Sequence, residues 1–262
     1  MRESRGAAAN GGHLPHADQL IVFLAAAVAQ GLNTVAGGGS FITFPALLFA
    51  GVAPIEANAT STVALWPGAL SSAWAYRRDF AATRRVVVVL SAVSIVGGFA
   101  GAMLLLLTPE ARFKALIPWL LGFATVLFAA SDGISSRLKP DGRGGSLALV
   151  ACIQFVVAIY GGYFGGGIGI MMLAAFSLMD VGTIHGMNGL KALLGAVING
   201  AAVVTFIVAR LVDWRFAVPM IVAAILAGYA GAKIARRIDP AIVRRLVVVV
   251  GVVMTIVFAI QR

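Results

Sequence analysis

Charge is scarce in this chain. Only 11% of its 262 residues are Asp, Glu, Lys or Arg, 60% are hydrophobic, and the mean hydropathy is +0.97. A soluble domain carries about 25% charged residues. A chain this apolar cannot cover its core with polar surface, which excludes water as its main solvent and requires lipid. Carboxylates are fewer still, 10 against 20 Lys and Arg, so the formal net charge is +10. In a soluble protein that excess points to nucleic acid. Here the arginines fall in short runs between apolar segments, at Arg77-Arg78, Arg84-Arg85, Arg236-Arg237 and Arg244-Arg245. That placement reads as a positive-inside topology signal, and nucleic acid is excluded as a partner. Cysteine is all but missing: Cys152 alone excludes an intrachain disulfide and a paired-thiolate metal site, and it reads as a small packing residue. A G-x-x-x-x-G-K-[ST] loop is absent, so ATP is not the direct energy source. With neither paired carboxylates nor a His/Cys cluster, the sequence implies no metal and no cofactor.

What is present is a series of apolar stretches, roughly 18–36, 40–51, 57–76, 85–107, 113–131, 146–164, 168–179, 188–209, 216–235 and 241–260. A bilayer core of about 30 Å needs about 20 helical residues. Two stretches, 40–51 and 168–179, are too short, and each directly follows a glycine triplet, Gly37-Gly38-Gly39 or Gly165-Gly166-Gly167. The apolar run Leu20 to Ala29 resembles a signal-peptide core, but the same pattern recurs at Leu147 to Ala158, where a removable signal has no place.

The two triplets expose an internal repeat. An offset of 128 to 134 residues aligns them and also pairs Asn58 with Asn188, Asp79-Phe80 with Asp213-Trp214, and Gly98-x-x-Gly101 with Gly228-x-x-Gly231. The expected organisation is a polar tail over 1–17, a first membrane repeat over 18–131, a linker loop over 132–145 and a second repeat over 146–262. The fold class is an all-α polytopic membrane protein with about eight main transmembrane helices and a glycine-broken first element in each repeat. If the chain turns back at each triplet, the repeats are inverted and the basic clusters 77–85, 137–143 and 233–245 share one side. If it runs straight through, the repeats are parallel, four spans each, and the clusters split. The inverted arrangement is preferred because it obeys the positive-inside rule.

Two motifs can carry chemistry. The first is Gln30-Gly-Leu-Asn33-Thr34-Val-Ala-Gly37-Gly38-Gly39-Ser40. Glycines there release backbone that must be buried in protein or line a watery cavity. The exposed N–H groups and dipole of a following half-helix attract anions. Matched triplets that each open a short segment favour a substrate site over simple close packing. The second is Asn58-Ala-Thr60-Ser61-Thr62 with its counterpart Asn188-Gly-Leu-Lys191; Asn58 shares a helix face with Ser61, and Asn188 with Lys191. Lys191 is the one strongly basic side chain set well inside an apolar stretch, where it serves either as an anion-binding charge or as a lysine snorkelling to the interface. Glu56, Asp180 and His185 near the loops are candidates for proton coupling, set against plain solvation. Asn199 reads as an interhelical hydrogen bonder, the Gly98/Gly101 and Gly228/Gly231 pairs as packing seams, and Trp66-Pro67, Pro118-Trp119 and Pro219 as kinks and interface anchors.

Asn33-Thr-Val-Ala-Gly-Gly-Gly-Ser40 with Pro45 and Ala57-Asn-Ala-Thr-Ser61 resembles the sulfite exporter TauE/SafE family of membrane transporters. Tyr160-Gly-Gly-Tyr-Phe-Gly-Gly-Gly-Ile-Gly169, His185-Gly-Met-Asn188-Gly-Leu-Lys191 and Val212-Asp-Trp214 resemble the family's second half. The resemblance covers about 18–260 and implies movement of small anions, with sulfite and organosulfonates as the named substrates. It also implies that the residues just quoted, Tyr160 among them, form the translocation site.

The expected function is therefore secondary transport of a small oxyanion by alternating access between the repeats, in the cell inner membrane, and not enzymatic. The expected substrate contacts are Asn33, Thr34, Gly37, Gly38, Gly39, Ser40, Asn58, Ser61, Tyr160, Gly165, Gly166, Gly167, Asn188 and Lys191. Partners are the anion and the bilayer, with self-association left open. Two other classes stand against this reading: an intramembrane hydrolase using Ser40 and His185, and a membrane scaffold without flux.

Overall fold

A computed structural model describes residues 15–35, 38–75, 82–137, 146–176, 178, 184–235 and 240–260. Among these residues the chain is all helix. In order the elements are α1 (Pro15–Val35), α2 (Ser40–Phe49), α3 (Pro54–Ala75), α4 (Arg84–Leu107), α5 (Glu110–Arg137), α6 (Leu147–Tyr163), α7 (Ile168–Phe176), α8 (Ile184–Val208), α9 (Trp214–Ala235) and α10 (Pro240–Ile260). Eight are 17 to 28 residues long; α2 and α7 have only 10 and 9. Helix α5 runs six residues into the expected linker and α1 starts inside the expected tail. On length and composition, Arg84–Leu107, Glu110–Ala130 and Gly186–Val208 are each able to cross a membrane, and several shorter apolar helices accompany them. The outer surface is apolar, with Val126, Val204, Val208, Ile225 and Ile256 all exposed, as lipid-facing side chains are. Cys152 also faces outward instead of packing in the core.

Local chemistry explains where helices stop. Helix α2 ends in a left-handed glycine cap: Gly51 has φ +82°, and the Val52 N–H reaches back to the Leu47 carbonyl at 3.0 Å. Pro54 then starts α3 at the position where its missing N–H costs nothing. Thr83 caps α4 by accepting from the Val86 N–H. Helices α4 and α6 meet on small residues: a methyl at Gly101 would strike the Ile159 carbonyl, and one at Gly162 the Gly98 carbonyl. In the same interface the Gln154 amide donates to the Ser94 hydroxyl at 2.8 Å. Trp66 is a tie between helices and not an interface anchor, because its indole N–H donates to the Ala196 carbonyl of α8 at 2.9 Å. The packing around Gly228 and Gly231 lies outside what is described.

The chain turns back after α1. A Cβ on Gly39 would sit 2.8 Å from the Ala29 carbonyl oxygen. A straight helix would hold residues ten apart about 15 Å from one another. After α6 the same happens: Ile168 lies 3.3 Å from a Cβ on Gly161. Helices α2 and α7 are thus short returning segments packed beside α1 and α6.

Three turns meet at one end of the bundle, hereafter the turn face. The Glu110 carboxylate accepts from the Ile55 N–H at 3.2 Å, which brings the start of α5 to the start of α3. The Thr60 hydroxyl accepts from the Asp213 N–H at 3.0 Å, which adds the α8–α9 turn. The Tyr163 hydroxyl donates to Thr108, so the end of α6, packed beside Gly98 and Gly101 in mid-α4, sends a side chain to this face. Here the Arg215 guanidinium, bonded to Asp213 at 2.8 Å, holds that carboxyl below the usual carboxylate range. By connectivity, Ala75, Arg84, Arg137, Leu147, Ala235 and Pro240 end or begin their helices at the opposite end. Most of loops 77–85, 132–145 and 236–240 lies outside the described residues.

Packing partners also correspond between the halves. Helix α4 lies on α6 and α8, and α9 lies on α1 and α3; α2 touches α1, α3 and α10, and α7 touches α6, α8 and α5. Helices α3 and α8 pair with each other, as do α5 and α10.

Candidate functional site

The glycine breaks create a cavity of about 240 Å³ between the two short helices. Drug-sized ligands occupy pockets of about 300–1,000 Å³, so this space suits a smaller solute. Gly38, Gly165 and Gly167 have φ of +90°, +84° and +80°, the left-handed region that other residues enter only with strain. They let the chain reverse within a few residues and leave the start of each short helix open to the cavity. The first backbone bond of α7 runs from the Ile170 N–H to the Gly167 carbonyl. The amides before it, on Ile168 and Gly169, are helix-start donors, and both residues line the cavity. On α2 the first such bond is made by Phe41, and Ser40 just before it lines the cavity too.

Helix α8 supplies the polar wall. Asn188, Lys191, Ala192, Gly195, Ala196 and Asn199 all line the cavity, a single face at helical spacing. The Lys191 ammonium donates to the Asn188 amide oxygen at 3.0 Å, and its methylene stem packs on Gly169, whose Cβ position is 3.3 Å from Cδ. Among the described residues no carboxylate pairs with it. Asn33 near the end of α1 and Thr62, Leu65 and Ala69 of α3 close the opposite wall. The cavity therefore presents one cation, three amide side chains, hydroxyls and two helix starts. It can hold an anion by charge and by N–H donors together.

Of the residues singled out in the sequence, the structure brings Asn33, Gly38, Ser40, Gly165, Gly167, Asn188 and Lys191 together at the cavity. Gly39 is buried against Ala29 and Gly166 against Phe164 and Ala124. Asn58 and Ser61 lie outside the lining: the Asn58 amide donates to the Tyr163 carbonyl at 3.1 Å, and Ser61 shares a 2.6 Å hydrogen bond with Thr43. Tyr160 packs edge-on against Phe123, beyond the lining. Glu56 is exposed in the first turn of α3. Gly37 and Asp180 lie outside the described residues, as do the side chains of Thr34 and His185. Asn199 faces the cavity, and so do Thr62, Phe128, Phe164, Gly169 and Gly195. Continuing the Asn188–Lys191 face by whole turns reaches Gly195 and Asn199, a signal legible in the sequence. Phe128 and Phe164 carry no such signal, because aromatics in apolar helices are common.

Comparison with known proteins finds membrane transporters. The sequence model of the family described as Sulfite exporter TauE/SafE matches residues 22–258. The chain is 28% identical over 241 residues to a "Probable membrane transporter protein" of Haemophilus influenzae, covering 90% of this chain and 92% of that one. It is 28% identical over 245 residues to "Probable membrane transporter protein ORF9" of Sinorhizobium sp, covering 90% of each. With "Probable membrane transporter protein YfcA" of Escherichia coli K12 it shares 27% over 249 residues, 90% of this chain and 87% of the other. No solved structure matches.

Proposed function

The chain belongs to the sulfite exporter TauE/SafE family, and from that premise we propose that it is a secondary transporter of small oxyanions, sulfite or short organosulfonates, in the cell inner membrane. The observation that carries this reading is Lys191: a lysine without a carboxylate partner among the described residues, facing a small cavity between two glycine-opened helix starts. Burying a lone ammonium in a membrane span costs about 2.5–3.5 kcal/mol on insertion scales, a cost offset when an anion supplies the missing charge. Sulfur enters through the family's description; the relatives' names give transport without a substrate. The anion binds among Asn33, Ser40, Asn188, Lys191 and Asn199 and the amides at the starts of α2 and α7.

Access alternates between two inverted repeats, α1–α5 and α6–α10. Correspondence of packing partners between the halves supports this, as does the reversal of the chain after both α1 and α6. Each half then has an odd number of crossings, so the second half enters the membrane from the side opposite the first. With that topology the arginine-rich loops share the cytoplasmic side. Reconstituted protein should show saturable flux of at least one anion in a screen of sulfite, thiosulfate, short alkyl sulfonates and carboxylates. Absence of flux for every one of them would favour a scaffold. A hydrolase would instead cleave peptide substrates and lose that activity in Ser40→Ala.

A further inference from the structure

The cavity is lopsided. Its lining from α3 begins at Thr62, eight residues in, and its lining from α8 stops at Asn199, nine residues before the helix ends. Asn33 contributes from the last turn of α1. The lining therefore runs from the middle of the bundle, at Thr62 and Asn199, toward the end opposite the turn face, at Ala69 and Asn188, and stops about 12 Å short of the turn face at 1.5 Å per residue. Toward the turn face the space is filled.

What fills it is a continuous run of rings. Phe164 lines the cavity and meets Phe44 edge-on at 5.8 Å between ring centroids. Phe44 meets Phe113 at 6.5 Å, and Phe113 meets Tyr163 at 5.8 Å, both edge-on. The Tyr163 hydroxyl ends the run on Thr108, at the α4–α5 turn. Phe44 and Phe113 are 1% and 0% exposed. The rings come from α2, α5 and the end of α6, so they join elements of both halves.

Beside this run sit Asn58 and Ser61, the counterparts of Asn188 and Lys191 in the other half. The second pair faces the cavity; the first is engaged with Tyr163 and Thr43. Equivalent segments thus occupy opposite situations, one open and one sealed. We propose that Phe164, Phe44, Phe113 and Tyr163 form the closed gate of the pathway on the turn face, and that opening it frees Asn58 and Ser61 to contact the anion. This rests on the transport reading above. Gate opening separates the rings, breaks the Asn58–Tyr163 bond, and exposes the Thr43–Ser61 pair to water from that face. Each contact is individually weak, so the gate is able to open on thermal energy and substrate binding.

The test is accessibility in the full chain with Cys152→Ala. Pro109→Cys, in the exposed α4–α5 turn, first fixes which side of the membrane the turn face occupies. Thr43→Cys then reports on the sealed half, through its rate of reaction with an impermeant maleimide added on that side. The expected result is slow labelling that changes with saturating sulfite and rises about tenfold on Phe113→Ala; tenfold is about 1.4 kcal/mol, within the range for the two aromatic contacts that Phe113 makes. Should Phe113→Ala fail to insert, Tyr163→Phe, which removes only the hydroxyl bond to Thr108, should raise the rate in the same direction. Flux is measured on the Cys152→Ala parent. Flux in the parent, with Thr43→Cys unreactive from the turn face in every background, overturns the gate alone. A parent without flux whose Thr43→Cys still responds to the ring variants overturns the transport reading and leaves the gate standing.

Discussion

Replacing Lys191 tests the site most directly. Its Cα lies about 10 Å along α8 from Ile184, at 1.5 Å per residue. Its stem is packed on Gly169 and its head is held, among the described residues, by Asn188 alone, so the charge stays at the cavity wall. A hydrogen bond to a charged group contributes about 1.5–3 kcal/mol, and 1.4 kcal/mol is tenfold. Lys191→Gln should therefore raise the apparent KM for the transported anion by roughly 10- to 100-fold. Lys191→Arg keeps the charge but presents a larger, planar fork in a cavity of about 240 Å³, and should give an intermediate loss. Lys191→Glu should be worse than Gln, because two like charges about 4 Å apart repel by about 4 kcal/mol at an effective dielectric constant of about 20. The assay is initial flux against substrate concentration in proteoliposomes, normalised to inserted protein. A lysine that only reaches for the interface predicts altered protein level and unaltered KM. Equal KM for wild type, Gln and Glu would refute the reasoning and leave the helix starts as the anion's only holders.

Gly38→Leu should abolish flux while insertion persists, because Gly38 has φ +90° and a Cβ there would lie 2.7 Å from the Phe128 ring. Gly166→Leu should act similarly through crowding of Phe164 and Ala124, at 3.0 and 3.3 Å from the added carbon; wild-type flux from both would mean the triplets serve packing alone. The Asp213–Arg215 pair gives a pH signature. Because the folded carboxyl titrates below its ordinary 3.8, its stabilisation is present above that pH and is lost as pH falls through the lower folded value. With Arg215 largely exposed, the effect should be under about 1 kcal/mol. The thermal midpoint difference between wild type and Asp213→Asn should stay constant from neutral pH down to about 5 and shrink only in stronger acid; a difference that grew on acidification would reverse the sign. Finally, single cysteines in loops 77–85, 132–145 and 236–240 should all label from the cytoplasmic side in Cys152→Ala; labelling of 236–240 from outside, with 77–85 silent there, would break the inverted arrangement.

Hydropathy by itself determined the solvent, the helical class and the approximate extent of nearly every helix, because a chain in lipid must satisfy its backbone within each segment. It also exposed the two short elements, since Gly37–Gly39 and Gly165–Gly167 interrupt apolar runs that are otherwise continuous. The helical face through Asn188 and Lys191 was equally legible, because 3.6 residues per turn is a local property. The direction of the chain after each triplet was not legible. A glycine with positive φ permits reversal without requiring it, and only the contacts of Gly39 on Ala29 and Ile168 on Gly161 decided it. Nor did sequence distinguish Asn58 and Ser61 from their counterparts. Asn58 faces a carbonyl of α6 that is 105 residues away, whereas Asn188, bonded only within its own helix to Lys191 among the described residues, lines the cavity. Whether a polar side chain meets a partner or a cavity depends on how distant helices close over it, and that closure belongs to the tertiary structure.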